Sequence, residues 1–243
     1  MRFEEKLKNR TAEQIWQEYC GFLDLDMAGY MNIQNRLMSE QFTLWKDSKL
    51  GQKLLGDKEI GSIDEFRKTF PLTTYDDYAE ILLQKRSDML PAEPVVWIQT
   101  TWEGGMHPIK MAPYSSSMLD TYKRNILACM ILGLCSEKGK VNVKPGGTFL
   151  YGLAALPYAT GLFPRALSDE LHVNFLPPVE EAEKLSFSER NKKGFKMGLK
   201  SDIDYFFGMG SVAYFVSTSL NKLASGSSGG KKHSISPRIA LKY

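Results

Sequence analysis

Apolar residues along the first part of the chain recur at helical spacing. Ile15, Trp16, Tyr19, Phe22 and Leu23 follow Thr11, with Gln14 three residues beyond it, the grammar of a capped amphipathic helix. A second helix is expected over Met27 to Lys46. In SIDEFRKTF, Ser62 stands as N-cap with Glu65 three residues on, and Pro71 marks the end. Thr74 then caps YDDYAEILLQK, whose Asp76 and Asp77 suit the positive end of a helix dipole.

The pattern then changes to alternation. PVVWIQT reads as a buried strand, IKMAP as a short strand, and SSSMLDTYKRNILACMILGL as a long capped helix. GTFLYGL, HVNFLPP and IDYFFGM follow as strands. PYATGLFPRALSDEL, VEEAEKLSFSERNKKGFKMGLK and SVAYFVSTSLNKLA are the helices between and after them. Strands separated by helices of this length predict an α/β chain with crossover connections and a mainly parallel sheet. Three divisions are expected: a helical N-terminal lead over 1–70, an α/β part over 71–223, and a loop with the start of a truncated strand over 224–243. Within the last, ASGSSGGKKHS has linker composition and SPRIALKY resembles a strand entry, so the pattern predicts an incomplete large domain.

Composition narrows the function classes without choosing one. The 243 residues carry 43% hydrophobic and 24% charged side chains and a net charge of +3, an ordinary globular balance that gives no reason to propose nucleic acid as a partner. The charged start MRFEEKLKNRTAEQ lacks the apolar core of a secretory signal. The most apolar stretch, IDYFFGMGSVAYFVSTSL, is broken by Asp204 and glycines before it reaches a membrane span. Three scattered cysteines with no C-x-x-C spacing fit a reduced, cytoplasmic setting.

Candidate chemistry gathers at QTTWEGGMHPIK, residues 99–110, where a strand leads into a Thr/Gly stretch and then a lysine. Glycines leave backbone N–H groups open to an anion, so the arrangement can hold a triphosphate, while a plain strand connection is the competing reading. FPLTTYDDYAEIL precedes this loop by about twenty residues. With WQEYCGFLDL, LGQKLLG and PPVEEAEK, it gives the chain a resemblance to adenylate-forming enzymes from about Ile15 through VSTSL. Within them it resembles most the auxin-responsive acyl amido synthetase-like family and, more distantly, phenylacetate-CoA ligase.

That resemblance implies ATP with Mg²⁺, a carboxylic acid substrate activated as its acyl-adenylate, and CoA or an amine as acceptor. It assigns the phosphates to Thr100, Thr101, Gly104, Gly105 and Lys110, and places Tyr158 and Gly161, in FLYGLAALPYATGLF, beside the acyl-adenylate. Trp102 and Glu103 depart from the family loop. An indole crowds a turn that glycine usually makes. One like-charge pair at about 4 Å and an effective dielectric near 20 costs roughly 4 kcal/mol before screening. The family's later elements, among them the ribose-binding aspartate and the catalytic lysine of a small C-terminal domain, are expected beyond Tyr243 or on a companion chain. The chain alone then holds half a site and turns over nothing. The alternative is a non-catalytic remnant, or a nucleotide-binding or interaction module.

Blander assignments cover the remaining features. His107 reads as a solvated loop residue, and Tyr75, Asp76 and Asp77 as a helix start rather than a metal site. SGSSGGKK lacks the preceding strand a phosphate loop needs and reads as surface loop. Cys129, Cys135 and the FFGMGSVAYF stretch read as core.

Overall fold

Two sheets organise the described residues, and each belongs to its own compact unit. The computed structural model describes residues 1–56, 58–100 and 106–224. One unit, here the hairpin unit, comprises Leu7–Val143 and Pro157–Ala159. The other, the sheet unit, comprises Met1–Lys6, Lys144–Leu156 and the chain from Thr160 onward.

The helices α1 (Phe3–Asn9), α2 (Ala12–Cys20), α3 (Met27–Lys46), α4 (Lys49–Leu55), α5 (Ile63–Thr69) and α6 (Ala79–Leu83) come first. The side chain of Thr11 caps α2 and Gln14 returns the bond, so the capping box read from sequence is present. Ile15, Trp16 and Tyr19 are buried beneath it, whereas Phe22 and Leu23 lie on an exposed 3₁₀ turn. Ser62 caps α5 through the Glu65 N–H, and Phe66 stacks on Phe70 with centroids 4.8 Å apart. The helix expected after Thr74 is instead a 3₁₀ turn, Tyr75–Asp77, followed by the short α6. Asp77 Oδ2 accepts from the Thr74 N–H at 2.6 Å, and Tyr78, with φ −134°, separates the two pieces.

Strands β1 (Pro94–Gln99) and β2 (Met111–Ser115) then form an antiparallel hairpin, and α7 (Ser116–Leu134) leaves β2 directly, capped by Ser115. This pair departs from the expected parallel arrangement. A crossover back to a parallel neighbour needs a dozen or more residues, usually a helix, which residues 100–110 do not supply. In β1 only Ile98 is buried, so the strand is not the core strand its apolar run suggested. Cys129 is exposed and Cys135 half-buried at the end of α7, correcting the expectation of two buried thiols.

The sheet unit keeps the alternation. β3 (Thr148–Gly152), α8 (Phe163–Ser168), β4 (Asn174–Leu176), α9 (Val179–Ala182), α10 (Phe187–Gly198), β5 (Tyr205–Gly208) and α11 (Gly210–Ala224) follow in order. The strands form a parallel sheet of order β4-β3-β5. Phe149 of β3 is the centre of an aromatic core, with Phe163, Phe175 and Tyr205 at 5.2, 5.5 and 5.6 Å. Helix α10 starts where Ser186 and Glu189 form a reciprocal cap, which divides the single long helix expected over VEEAEKLSFSERNKKGFKMGLK. It packs closely on the sheet at Gly194, where a Cβ would come within 2.9 Å of the Leu176 carbonyl oxygen. Arg2 donates to the Ser168 and Asp169 carbonyls and Phe3 is fully buried, tying the chain start to the end of α8. Phe206, Phe207 and Tyr214 are exposed, so the FFGMGSVAYF stretch is only partly core.

Candidate functional site

The neck of the candidate loop is closed by the two residues singled out at its ends. The Thr100 N–H donates to the Lys110 carbonyl at 2.9 Å, and the Thr100 hydroxyl accepts from the Lys110 N–H at 3.2 Å. Thr100 therefore uses its side chain where a strand residue would use its own carbonyl. Thr101, Gly104 and Gly105, with Trp102 and Glu103, lie outside the described residues. So do SGSSGGKK and SPRIALKY.

Register explains how the neck is held from outside. Gln99 and Met111 face each other across the hairpin without exchanging hydrogen bonds, so their backbone groups point to the outer edges. On the β1 side the Gln99 N–H donates to the Pro157 carbonyl at 2.8 Å, and Gln99 forms a parallel bridge with Tyr158. On the β2 side one side chain fills the place of a strand. The Tyr75 hydroxyl accepts from the Met111 N–H at 2.8 Å and donates to the Met111 carbonyl at 3.3 Å.

The segment Pro157–Ala159 is held a second time, because the Tyr122 hydroxyl donates to the Ala159 carbonyl at 3.2 Å. Burial, with the neighbouring Tyr114, pushes the Tyr122 phenol up to about 12, so it stays a donor at neutral pH. The structure thus brings Thr100, Lys110 and the backbone of Tyr158 to one end of the hairpin. Gly161 belongs to the sheet unit, where a Cβ would lie 2.1 Å from the Leu156 N and 2.3 Å from the Ala155 carbonyl carbon. Only a residue without a side chain allows that approach.

Around the neck, Lys110 Nζ lies 5.8 Å from the centre of the Tyr75 ring, a cation–π distance. His107 Nε2 is 3.3 Å from Asp76 Oδ1, and its ring meets Tyr75 edge-on at 5.8 Å. His107 is thus partnered rather than merely solvated. The Asp76 carboxylate faces the loop, while Asp77 caps its own turn. Sequence spacing could not show this pairing, since the two residues are joined only by the fold. Tyr75 was legible as a helix start, but its phenol signals no attachment to β2.

In the sheet unit a narrow cleft opens at the carboxyl end of β3. Tyr151, Ala154, Leu156, Gly161, Glu183 and Arg190 are among the residues that line it. Arg165 holds both oxygens of Glu183 at 2.8 Å. The Tyr151 hydroxyl donates to the Pro177 carbonyl, and burial raises its pKa to about 12. Arg190 is 3% exposed, its Nε has no hydrogen-bond partner among the described residues, and burial lowers its pKa. Among the described residues, no group of three or more His, Cys, Asp or Glu side chains is placed to hold a metal ion. No helix there is long and apolar enough to cross a membrane.

The family description "GH3 family N-terminal domain" matches residues 21–151, more than half of the chain. The chain belongs to the GH3 family. The matched GH3 segment contains the whole β1–β2 hairpin, Tyr75 and α7, and ends in β3. AtGH3.15 acyl acid amido synthetase, solved in complex with 2,4-DB, has a similar fold, with TM-score 0.55 at 12% sequence identity. That likeness covers 80% of this GH3 chain and 36% of the other, so this chain spans about a third of its structural neighbour. No curated protein matches the chain.

Proposed function

We propose that the chain is the N-terminal portion of an ATP-dependent acyl-activating enzyme, and that residues 100–110 are its phosphate-binding loop. The observation that carries this reading is the hairpin neck. A lysine and a threonine stand at the two ends of a Thr/Gly stretch, clamped by Tyr75 on one side and by the Tyr158 segment on the other. Membership of the GH3 family and the fold shared with an acyl acid amido synthetase support it.

The donor set fits a polyanion. Lys110 supplies an ammonium group and Thr100 a hydroxyl, and Thr101, Gly104 and Gly105 add a further hydroxyl and backbone amides. A magnesium ion would come with the triphosphate, whose oxygens are its usual ligands. Bound ATP supplies an electrophilic α-phosphorus with pyrophosphate as leaving group. The substrate is an acyl acid, whose carboxylate oxygen bonds to that phosphorus as the bond to pyrophosphate breaks. Lys110 and Thr100 fix the phosphates and offset their charge while Tyr158 borders the acyl end. An amine acceptor then bonds to the acyl carbon as the bond to phosphate breaks, releasing AMP and the acceptor's proton, with a thiol such as CoA the acceptor if the kinship to phenylacetate-CoA ligase extends to chemistry. A companion chain or downstream segment would complete the site.

Acid-dependent exchange of labelled pyrophosphate into ATP tests the reaction, using a panel of acyl acids and the chain together with any companion. Exchange that needs Lys110 supports the reading, and its absence across the panel contradicts it. Trp102 and Glu103 favour a second reading, a nucleotide-binding module without turnover. That reading expects ATP binding without exchange, and tighter binding for Trp102→Gly.

A further inference from the structure

Arg190 is the outlier among the described charged residues of the sheet unit. It sits on α10 beside Asn191, Gly194 and Gly198, all buried against the sheet, and is itself 3% exposed. Its Nε is buried and has no hydrogen-bond partner among the described residues. The Phe187 ring lies 5.8 Å from its Cζ. The carboxylate that shares its cleft, Glu183, is already committed to Arg165 through two bonds of 2.8 Å. Tyr151, on the same wall, directs its proton to Pro177.

A buried cation with no counter-charge is costly, and removing such a group in favour of an apolar one is often neutral or stabilising. Its position gives a reason for retaining it. β3 is the central strand of β4-β3-β5, so the chain leaves it toward one edge and later passes across it to the other. Clefts at the carboxyl end of a strand where the order reverses in this way are where open parallel sheets receive ligands. Ala154 and Leu156 follow β3, and the backbone they contribute closes on Gly161. The space within the cleft is about 20 Å³, room for one water-sized group such as a single oxygen of an oxyanion but not for the body of a ligand.

We propose that Arg190 and this cleft form an oxyanion subsite, which receives a carboxylate or phosphoryl edge while the rest of the ligand stays outside. The test of this subsite needs neither nucleotide nor turnover.

The experiment follows the Arg190 Nε–H resonance of the full ¹⁵N-labelled chain, assigned by its loss in Arg190→Lys. Inorganic phosphate, acetate and benzoate are titrated separately at constant ionic strength, with chloride as control. A saturable shift with phosphate or with the carboxylates supports the subsite and tells the two sources apart. Shifts no larger than chloride gives overturn it and leave Arg190 hydrated by water only. A second readout is the thermal midpoint. The anion that shifts the resonance should raise the wild-type midpoint and leave that of Arg190→Met unmoved, whatever the variant's own stability. A rise retained in Arg190→Met also overturns the proposal.

Discussion

Replacing Tyr75 with phenylalanine removes one oxygen and nothing else from the clamp on the hairpin neck. The ring stays, with its edge contact to His107 and its place beneath Lys110 Nζ, while both bonds to Met111 go. The bond from the Met111 N–H, at 2.8 Å, is full strength, and the return bond at 3.3 Å is weaker. Deleting a hydrogen-bond partner costs about 1–3 kcal/mol when the abandoned group stays buried. Tyr75 is half-buried and water can reach part of the gap, so the lower part of that range applies, about 1–2 kcal/mol. At about 2–4 °C per kcal/mol for a chain of this size, the thermal midpoint falls by about 2–8 °C. Amide hydrogen exchange gives the local measure. Protection of the Met111 N–H should drop about five- to thirty-fold, the population change that such an energy implies. Tyr78→Phe is the control, because the Tyr78 hydroxyl makes no hydrogen bond among the described residues. An unchanged Met111 amide, with a midpoint no lower than the control's, would refute the view that Tyr75 stands in for a third strand.

Gly161→Ala places a Cβ 2.1 Å from the Leu156 N, against backbone that cannot rotate aside, and the chain must shift. We expect a loss of about 2 kcal/mol or more in denaturant unfolding, in the range of severe overpacking. Asp88 is held at about 2, below its ordinary 3.8, first by its hydrogen bond from Arg86 and then by the charges of Arg86 and Lys49. Because the folded value is depressed, its contribution is present above about pH 3.8 and disappears as pH falls through about 2. A carboxyl NMR titration should find that low midpoint, and Arg86→Gln should return it toward 3.8.

The helical grammar of the chain was written locally, and so it could be read. Thr11 with Gln14, Ser62 with Glu65, and the span of α3 depend on residues three or four positions apart, and all form as their spacing indicates. The strands of the parallel sheet were equally plain, since short apolar runs between helices leave few other topologies. Direction of pairing at the hairpin was not read from the alternation, although the shortness of residues 100–110 excluded a crossover. The partners of the candidate site were hidden for a different reason. Tyr75 meets Met111 across 36 residues, and Gln99 meets Tyr158 across a still longer stretch. No local pattern encodes such a pair. Arg190 was closer to legible, because Phe187, Arg190, Asn191, Gly194 and Gly198 share one helical face. Taking the two glycines as the packing surface would have placed the arginine inside.

The central claim is that residues 100–110 grip a polyphosphate, and it is tested most directly by titrating the ¹⁵N-labelled chain with Mg·ATP. The account predicts saturable amide shifts concentrated at Thr100, in the Thr/Gly stretch and at Lys110. Lys110→Ala should weaken the binding about tenfold, or about 1.4 kcal/mol. Shifts centred elsewhere in the chain, or equal affinity in Lys110→Ala, would contradict it.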